Sequence, residues 1–278
     1  MDRMNAESLW TRAGNARPAT AGDTDLATDR EWLLKTESRV RVLLHAVDGD
    51  ADNGAVRSVS KIYRTPPGLA WRTFGLVSRA KREFKTLKVA FEHKVPVVQP
   101  FGWSDTRKFG CVRFNQLTMA YVPGETLIEF MQRHRQAGGP DQAQADRVVA
   151  GVGELLASLH RAGIVWGTAL PRNVMVFPDG PGSFSVAGFD FPYASCLGSD
   201  VSSSRFAHTD LWWMAGGCAA DCGFDERLLE LFYSAYIGDT GVQSSELRSQ
   251  VEQLTQSQRL ANRIRGRIKQ AFRLMGSE

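Results

Sequence analysis

Between Leu159 and Val176 the chain reads LHRAGIVWGTALPRNVMV, and from Phe189 to Pro192 it reads FDFP. The first stretch opens on the end of an apolar-faced segment. From Asp141 to Ala162, Val148, Val152, Leu155, Leu156 and Leu159 recur at helical spacing, and Gly163 stands where a helix C-terminus favours glycine. A buried scaffold helix is predicted there. Then come VWGTALPRNVMVF, a turn at Pro178 to Gly182, and SFSVAGFDF, which read as a loop between two short strands. Loops held by rigid elements are where chemistry is carried.

Working outward, the N-terminal side is strand-rich. WLLK from Trp32, RVRVLLHA, and, after the turn-rich DGDADNG, AVRSVSKIYR predict three antiparallel strands. A helix is predicted over Ser78 to His93, where Ala80, Phe84, Leu87 and Phe91 recur every three or four residues. VPVVQPFGW is held extended by its prolines, and a strand QLTMAYV stops at Pro123-Gly124 before GETLIEFMQRH restarts as a helix. Downstream, helical patterns begin near Asp210 and Glu226. The expected organisation is a loosely held arm over 1–30, a small β-rich lobe over 31–122, a larger α-rich lobe over 123–255 and a basic amphipathic helix over 256–278.

Composition bounds the function. With 278 residues, 43% hydrophobic and 23% charged, and 34 basic against 30 acidic side chains, the chain can bury a sizeable core and is not a disordered polymer. Its most membrane-like uncharged stretch, LWWMAGGCAA from Leu211 to Ala220, is about half of the roughly 20 residues a spanning helix needs. No secretory leader is visible, so a cytoplasmic location is expected. Cys111, Cys196, Cys218 and Cys222 are too scattered for a disulfide framework and are expected as reduced thiols.

The net charge of +4 is concentrated at the end. Arg259, Arg263, Arg265, Arg267, Lys269 and Arg273 face only Glu278, while Leu260, Ile264, Ile268, Ala271 and Met275 form an apolar stripe. Such a helix suits packing on the protein's own body or an anionic membrane surface. No aromatic platform or groove-reading motif accompanies it, so nucleic acid is not an expected partner.

A cleft between two such lobes suits a nucleotide if it holds a cation for the phosphates, a partner that aims the cation, and oxygen donors for Mg²⁺. Lys61 ends the strand SVSK, and Glu83 lies in the first turns of the next helix. The stretches SKIYR, SRAKREFKTL, VPVVQPFGW, TMAYVPGETL, LLASLHRAG, PRNVMV and FDFPYA, in this order from about Trp32 to Gly238, resemble the bacterial lipopolysaccharide core kinases, the Kdo and heptose kinase family. That resemblance implies an α+β, bilobal protein-kinase-like fold, with a small antiparallel-sheet N-lobe and a mostly helical C-lobe. It implies ATP and Mg²⁺ as cofactors and an inner-core sugar as substrate, at the cytoplasmic face of the inner membrane. By the same carry-over, Lys61 grips the phosphates and Glu83 aims it. Asn173 and Asp190 hold the metal, and Thr118, Met119, Ala120 and Tyr121 line a hinge where backbone groups meet an adenine edge. Asp210 braces the catalytic loop; as a bare residue it also reads as a helix N-terminal carboxylate.

Three departures open an alternative. Where the family places its catalytic aspartate, five positions before Asn173, this chain has Thr168, whose hydroxyl cannot take up a proton at neutral pH as a carboxylate does. The first hairpin, LLKTESRVRV, has no glycine, and Thr36, Glu37 and Ser38 occupy the place of a phosphate-covering loop. AGFDFP can be aligned with either Gly188 or Asp190 at the metal position. Asp190 is preferred because a phenylalanine follows it.

The expected function is therefore transfer of phosphate from ATP to an inner-core sugar hydroxyl. The alternative is a catalytically degenerate pseudokinase that binds nucleotide, or only another envelope enzyme, as a scaffold or regulator. A kinase of another small molecule, such as an aminoglycoside, is a weaker third reading and needs the same missing aspartate. His160 and His208 are expected in structural roles before catalytic ones. Cys218 and Cys222 are expected as buried thiols, and Trp166, Trp212 and Trp213 as core of the larger lobe.

Overall fold

The computed structural model describes residues 17–18, 31–36, 39–47, 56–136, 139–238 and 244–253. The expectations for the arm over 1–30, apart from Arg17–Pro18, for Glu37 and Ser38 of the first hairpin, and for the basic helix over 256–278 lie outside the described residues. The chain divides into two compact units. One is Met1–Pro123 together with Phe189–Ala194; the other is Gly124–Gly188 together with Ser195–Glu278.

The first unit is built on a six-stranded sheet of β1 (Arg17–Pro18), β2 (Glu31–Thr36), β3 (Val40–Val47), β4 (Val56–Arg64), β5 (Pro100–Lys108) and β6 (Cys111–Ala120), in the order β1-β2-β3-β4-β6-β5. All neighbours are antiparallel except β1 and β2. The expected three-strand run is β2 to β4. In the β4–β6 register Lys61 lies opposite Leu117 and Val59 opposite Met119, so these four share one face of the sheet, while Ser60 and Thr118 point to the other. A 3-10 segment, Pro67–Thr73, leads to α1 (Arg79–Glu92), where the Ser78 hydroxyl accepts from the Lys81 amide and caps the first turn.

The spacing predicts Ala80, Phe84, Leu87 and Phe91 on one inner face of α1. Ala80 and Leu87 are fully buried, but Phe91 is exposed, and Glu83 and Ala90 complete the inner face. The helix is turned toward Glu83 because that carboxylate finds three donors inside the unit, which repays its desolvation.

The second unit is mainly helical. It contains β7 (Glu125–Thr126), α2 (Leu127–His134), α3 (Gln142–Arg161), β8 (Ile164–Val165), a 3-10 turn at Pro171–Asn173, β9 (Val174–Gly180), β10 (Ser183–Gly188), β11 (Ser195–Cys196), α4 (Arg205–Asp221), α5 (Glu226–Ile237) and a helix over 244–253. Capping boxes, Thr126 with Glu129 and Asp141 with Gln144, start α2 and α3. Val148, Val152, Leu155, Leu156 and Leu159 are all fully buried, as expected of the scaffold helix. Gly163, at φ 73°, turns the chain out of it, and a Cβ there would lie 2.6 Å from the Ser199 carbonyl oxygen. The hairpin β9–β10 pairs with β7 in the order β10-β9-β7.

Two expectations change here. Helix α4 begins five residues before Asp210, where the Ser204 hydroxyl accepts from the Ala207 amide; Asp210 is therefore inside the helix and is not an N-terminal carboxylate. Trp166 is fully buried, but Trp213 is 44% exposed and does not fill the core. Cys218 and Cys222 are buried, and burial raises the Cys218 thiol well above its usual range. No helix among the described residues is long and apolar enough to cross a membrane.

Candidate active site

In the first unit, strand alternation places Lys61 and Tyr63 on one side of β4, and α1 brings Glu83 to both. The Lys61 Nζ donates to Glu83 Oε1 at 3.2 Å, and the Tyr63 hydroxyl donates to Glu83 Oε2 at 2.7 Å. The Glu83 side chain is fully buried. Burial, with the Glu83 charge next in weight, pushes the Tyr63 hydroxyl well above its usual pKa, so it remains a donor.

The segment Phe189–Ala194 supplies the third member. Asp190 adopts a left-handed backbone, φ 62°, which aspartate tolerates better than most residues, and its Oδ1 accepts from the Lys61 ammonium. The Phe191 amide donates to Glu83 Oε1 at 3.1 Å. Gly188 instead ends β10, paired with Val174. The geometry therefore puts Asp190, and not Gly188, beside Lys61.

Residues outside the expected set complete this cluster. The Arg79 guanidinium stacks over the Tyr63 ring at 4.4 Å and the Tyr193 ring at 5.8 Å, and lies 4.0 Å from Asp190 Oδ1. Arg82 Nε donates to the Pro192 carbonyl at 3.2 Å. Tyr63 could have been read from the sequence, two residues beyond Lys61 on a strand. The arginines could not, since Arg82 and Pro192 are 110 positions apart.

Of the expected hinge residues, Thr118, Met119 and Ala120 lie in β6 and Tyr121 just beyond it. Thr118 and Met119 pair with β4 on one side and β5 on the other, and the Ala120 amide donates to the Gln99 carbonyl at 2.8 Å. Backbone groups in the middle of a sheet are already spent on the ladder. Thr118 hydrogen-bonds with Ser60 and Gln116 on the face away from Lys61. Met119 does share the Lys61 face, and Tyr121, beyond the strand end, packs on Leu44 together with Val59. Leu44, Val59, Met119 and Tyr121 thus form an apolar floor on the lysine side of the sheet.

The second unit holds the loop residues. Asp210 is fully buried and accepts from the Trp166 amide at 2.6 Å and the Gly167 amide at 2.8 Å. His160, also fully buried, lies with Nε2 3.4 Å from Asp210 and Nδ1 2.9 Å from the Tyr236 hydroxyl, as befits a structural histidine. Burial raises the Tyr236 hydroxyl above its usual range. The Asn173 side chain donates from Nδ2 to the Thr168 carbonyl at 3.0 Å, and no described residue hydrogen-bonds its Oδ1. The Thr168 hydroxyl oxygen is itself buried and has no hydrogen-bond partner among the described residues. Thr168 and Asn173 are thus brought together in one unit, and Lys61, Glu83 and Asp190 in the other.

Hard oxygen donors suit Mg²⁺, which in nucleotide sites takes one or two protein oxygens and completes its shell with phosphate and water. Asp190, 30% exposed at its side chain, and the fixed Asn173 carbonyl are such donors. Among the described residues no group of three or more His, Cys, Asp or Glu could hold a metal by itself.

A family model matches this region. It is that of the lipopolysaccharide kinase (Kdo/WaaP) family, over residues 61–194. The resemblance read from the sequence is therefore borne out, over the stretch from Lys61 to the end of the Asp190 segment. Among solved structures, one described as WaaP in complex with acyl carrier protein matches with a TM-score of 0.56, covering 88% of this chain and 92% of that one. At 16% identity this likeness establishes the α+β kinase-like fold expected from the sequence. Two curated relatives, the serine/threonine-protein kinase AfsK of Streptomyces coelicolor and that of Streptomyces griseus, are 40% and 36% identical over 96 residues. Those matches take in 34% of this chain and a tenth of the relatives' length (10%). The family-model match supports a lipopolysaccharide-kinase-like protein.

Proposed function

We propose that the protein is an ATP- and Mg²⁺-dependent phosphotransferase acting on a sugar hydroxyl of the lipopolysaccharide inner core. The observation that carries this reading is the Lys61–Glu83–Asp190 cluster: an ammonium aimed by a fully buried carboxylate, beside a second carboxylate on a left-handed turn. Lys61 grips the nucleotide phosphates, Glu83 fixes its direction, and the apolar floor of Leu44, Val59, Met119 and Tyr121 receives the base. Asp190 would be the Mg²⁺ ligand of the first unit and Asn173 the oxygen donor that the second unit offers; the ion, when bound, would neutralise phosphate charge. With Thr168 in place of a carboxylate, the acceptor hydroxyl gives up its proton late, to phosphate or water. Phosphoryl transfer depends chiefly on positioning and charge, and the loss of a general base costs about 10²- to 10⁴-fold, which leaves slow turnover.

One observation favours a second reading, a pseudokinase that binds nucleotide or a partner as a scaffold in envelope synthesis. The Thr168 hydroxyl is buried, so it offers an acceptor neither a base nor a hydrogen-bonding group. In this reading the partner is another envelope enzyme, or an acyl carrier protein of the kind bound to the structural neighbour.

Purified protein incubated with γ-labelled ATP, Mg²⁺ and core lipopolysaccharide separates the two. Label transfer by the native protein that disappears in Asp190→Ala supports catalysis. No transfer by the native protein, with activity gained in Thr168→Asp, supports the scaffold. In this reading the protein acts at the cytoplasmic face of the inner membrane, with the basic tail over 256–278 on anionic lipid; removing that tail then lowers binding to anionic vesicles, and unchanged binding contradicts the tail's role.

A further inference from the structure

The first unit carries an apolar patch that the site does not use. Trp71 is 67% exposed, Phe74 68% and Phe109 86%, and Leu76 and Val77 beside them are also exposed. Isolated exposed apolar residues are ordinary, but a cluster of large ones is not. These belong to two pieces of chain held against each other. The Val112 amide donates to Thr73 Oγ1 at 2.8 Å, and Arg107 donates to the Leu76 carbonyl at 2.8 Å and to the Gly110 carbonyl at 3.0 Å. A Cβ on Gly110 would come within 2.7 Å of the Phe74 ring, so that ring lies directly on the β5–β6 turn. Phe109 stands at the tip of this turn with φ 52°, a backbone conformation uncommon for a bulky residue.

The first of these two pieces of chain is basic. From Pro66 to Arg82 the chain carries Arg72, Arg79, Lys81 and Arg82 and no acidic residue. The Arg72 guanidinium lies 5.3 Å from the Trp71 ring, and the Lys108 ammonium 5.7 Å from the Phe109 ring. Arg107, by contrast, is paired with Asp105 at 3.1 Å. Two of the projecting rings, Trp71 and Phe109, carry a cation over the ring, and this pairing matches the boundary of an anionic bilayer: rings enter the headgroup level while the cations meet lipid phosphates. A folded partner would need a pocket shaped to receive Phe109, whereas a lipid surface needs none.

We infer that this patch, centred on Trp71, Phe74 and Phe109, docks the first unit on an anionic lipid surface. The inference is independent of whether the protein transfers phosphate, and it adds a contact separate from the tail over 256–278. The test titrates the full chain, tail intact, with phosphatidylcholine vesicles containing or lacking phosphatidylglycerol. The native protein is expected to bind only the anionic vesicles, and more weakly as salt is raised. Trp71→Ser/Phe109→Ser is expected to reduce that binding at least about tenfold, and Arg72→Glu/Lys108→Glu to reduce it as well. Both pairs point to solvent, so thermal melts should match the native protein. Anionic-vesicle binding by Trp71→Ser/Phe109→Ser equal to native overturns the inference. So does a result in which that variant keeps vesicle binding but loses binding to an acidic carrier protein.

Discussion

Glu83 serves three donors with two oxygens: the Lys61 ammonium, the Tyr63 hydroxyl and the Phe191 amide. Removing it leaves the Tyr63 hydroxyl and the Phe191 amide, both buried, without their acceptor and the largely buried Lys61 with Asp190 alone. Glu83→Ala is therefore expected to cost about 3–5 kcal/mol of stability, read from urea unfolding, whereas Glu83→Gln keeps part of the network and should cost less. Such a residue is legible in sequence only through the family resemblance, since a strand lysine and a helix glutamate by themselves read as an ordinary surface pair. Asp190 was legible for a related reason, the phenylalanine that follows it. What sequence could not supply was the backbone register. Thr118 and Ala120 sit beside Met119 in the chain but face away from Lys61, and only strand pairing reveals this. Arg79 was equally hidden, since its value lies in two tyrosine rings that folding brings to it.

The loop residues are held by elements whose contact depends on small side chains. A Cβ on Gly217 of α4 would lie 2.6 Å from Pro171 Cδ, at the head of the turn that carries Asn173. Gly217→Ala must therefore displace either the helix or the turn. It is expected to cost about 1–3 kcal/mol in a denaturant titration. The same helix carries His208, whose pKa is lowered by burial and then by the neighbouring His160. Folding favours its neutral form, so its contribution to stability is complete above the unfolded value of about 6.5 and is lost as the pH falls through the lower folded value. The drop in Tm between about pH 7.5 and pH 5.5 should accordingly be smaller in His208→Gln than in the native protein. At this scale helix α3 was readable from its apolar stripe and the glycine that follows it. The start of α4 was not, because its capping Ser204 stands among other serines that look alike before the chain is folded.

Taken whole, the chain passes between its two units three times, after Pro123, after Gly188 and after Ala194. Residues 189–194 count with the first unit although both flanking stretches count with the second. A polypeptide of residues 1–123 lacks the Asp190 carboxylate and the Phe191 amide that Lys61 and Glu83 bind. It is expected to melt well below the full protein by circular dichroism, and a synthetic peptide of 189–194 should raise its Tm, with Phe191→Ala in that peptide cancelling the gain. The reason is physical: a buried carboxylate left with fewer donors is costly wherever the chain is cut. Made as separate products, 1–123 and 124–278 thus come with a built-in handshake, since the longer piece displays the short peptide for which the shorter one has a vacancy. Co-expression of these halves offers a complementation assay in which reassembly reports directly on how well the Asp190 turn is seated.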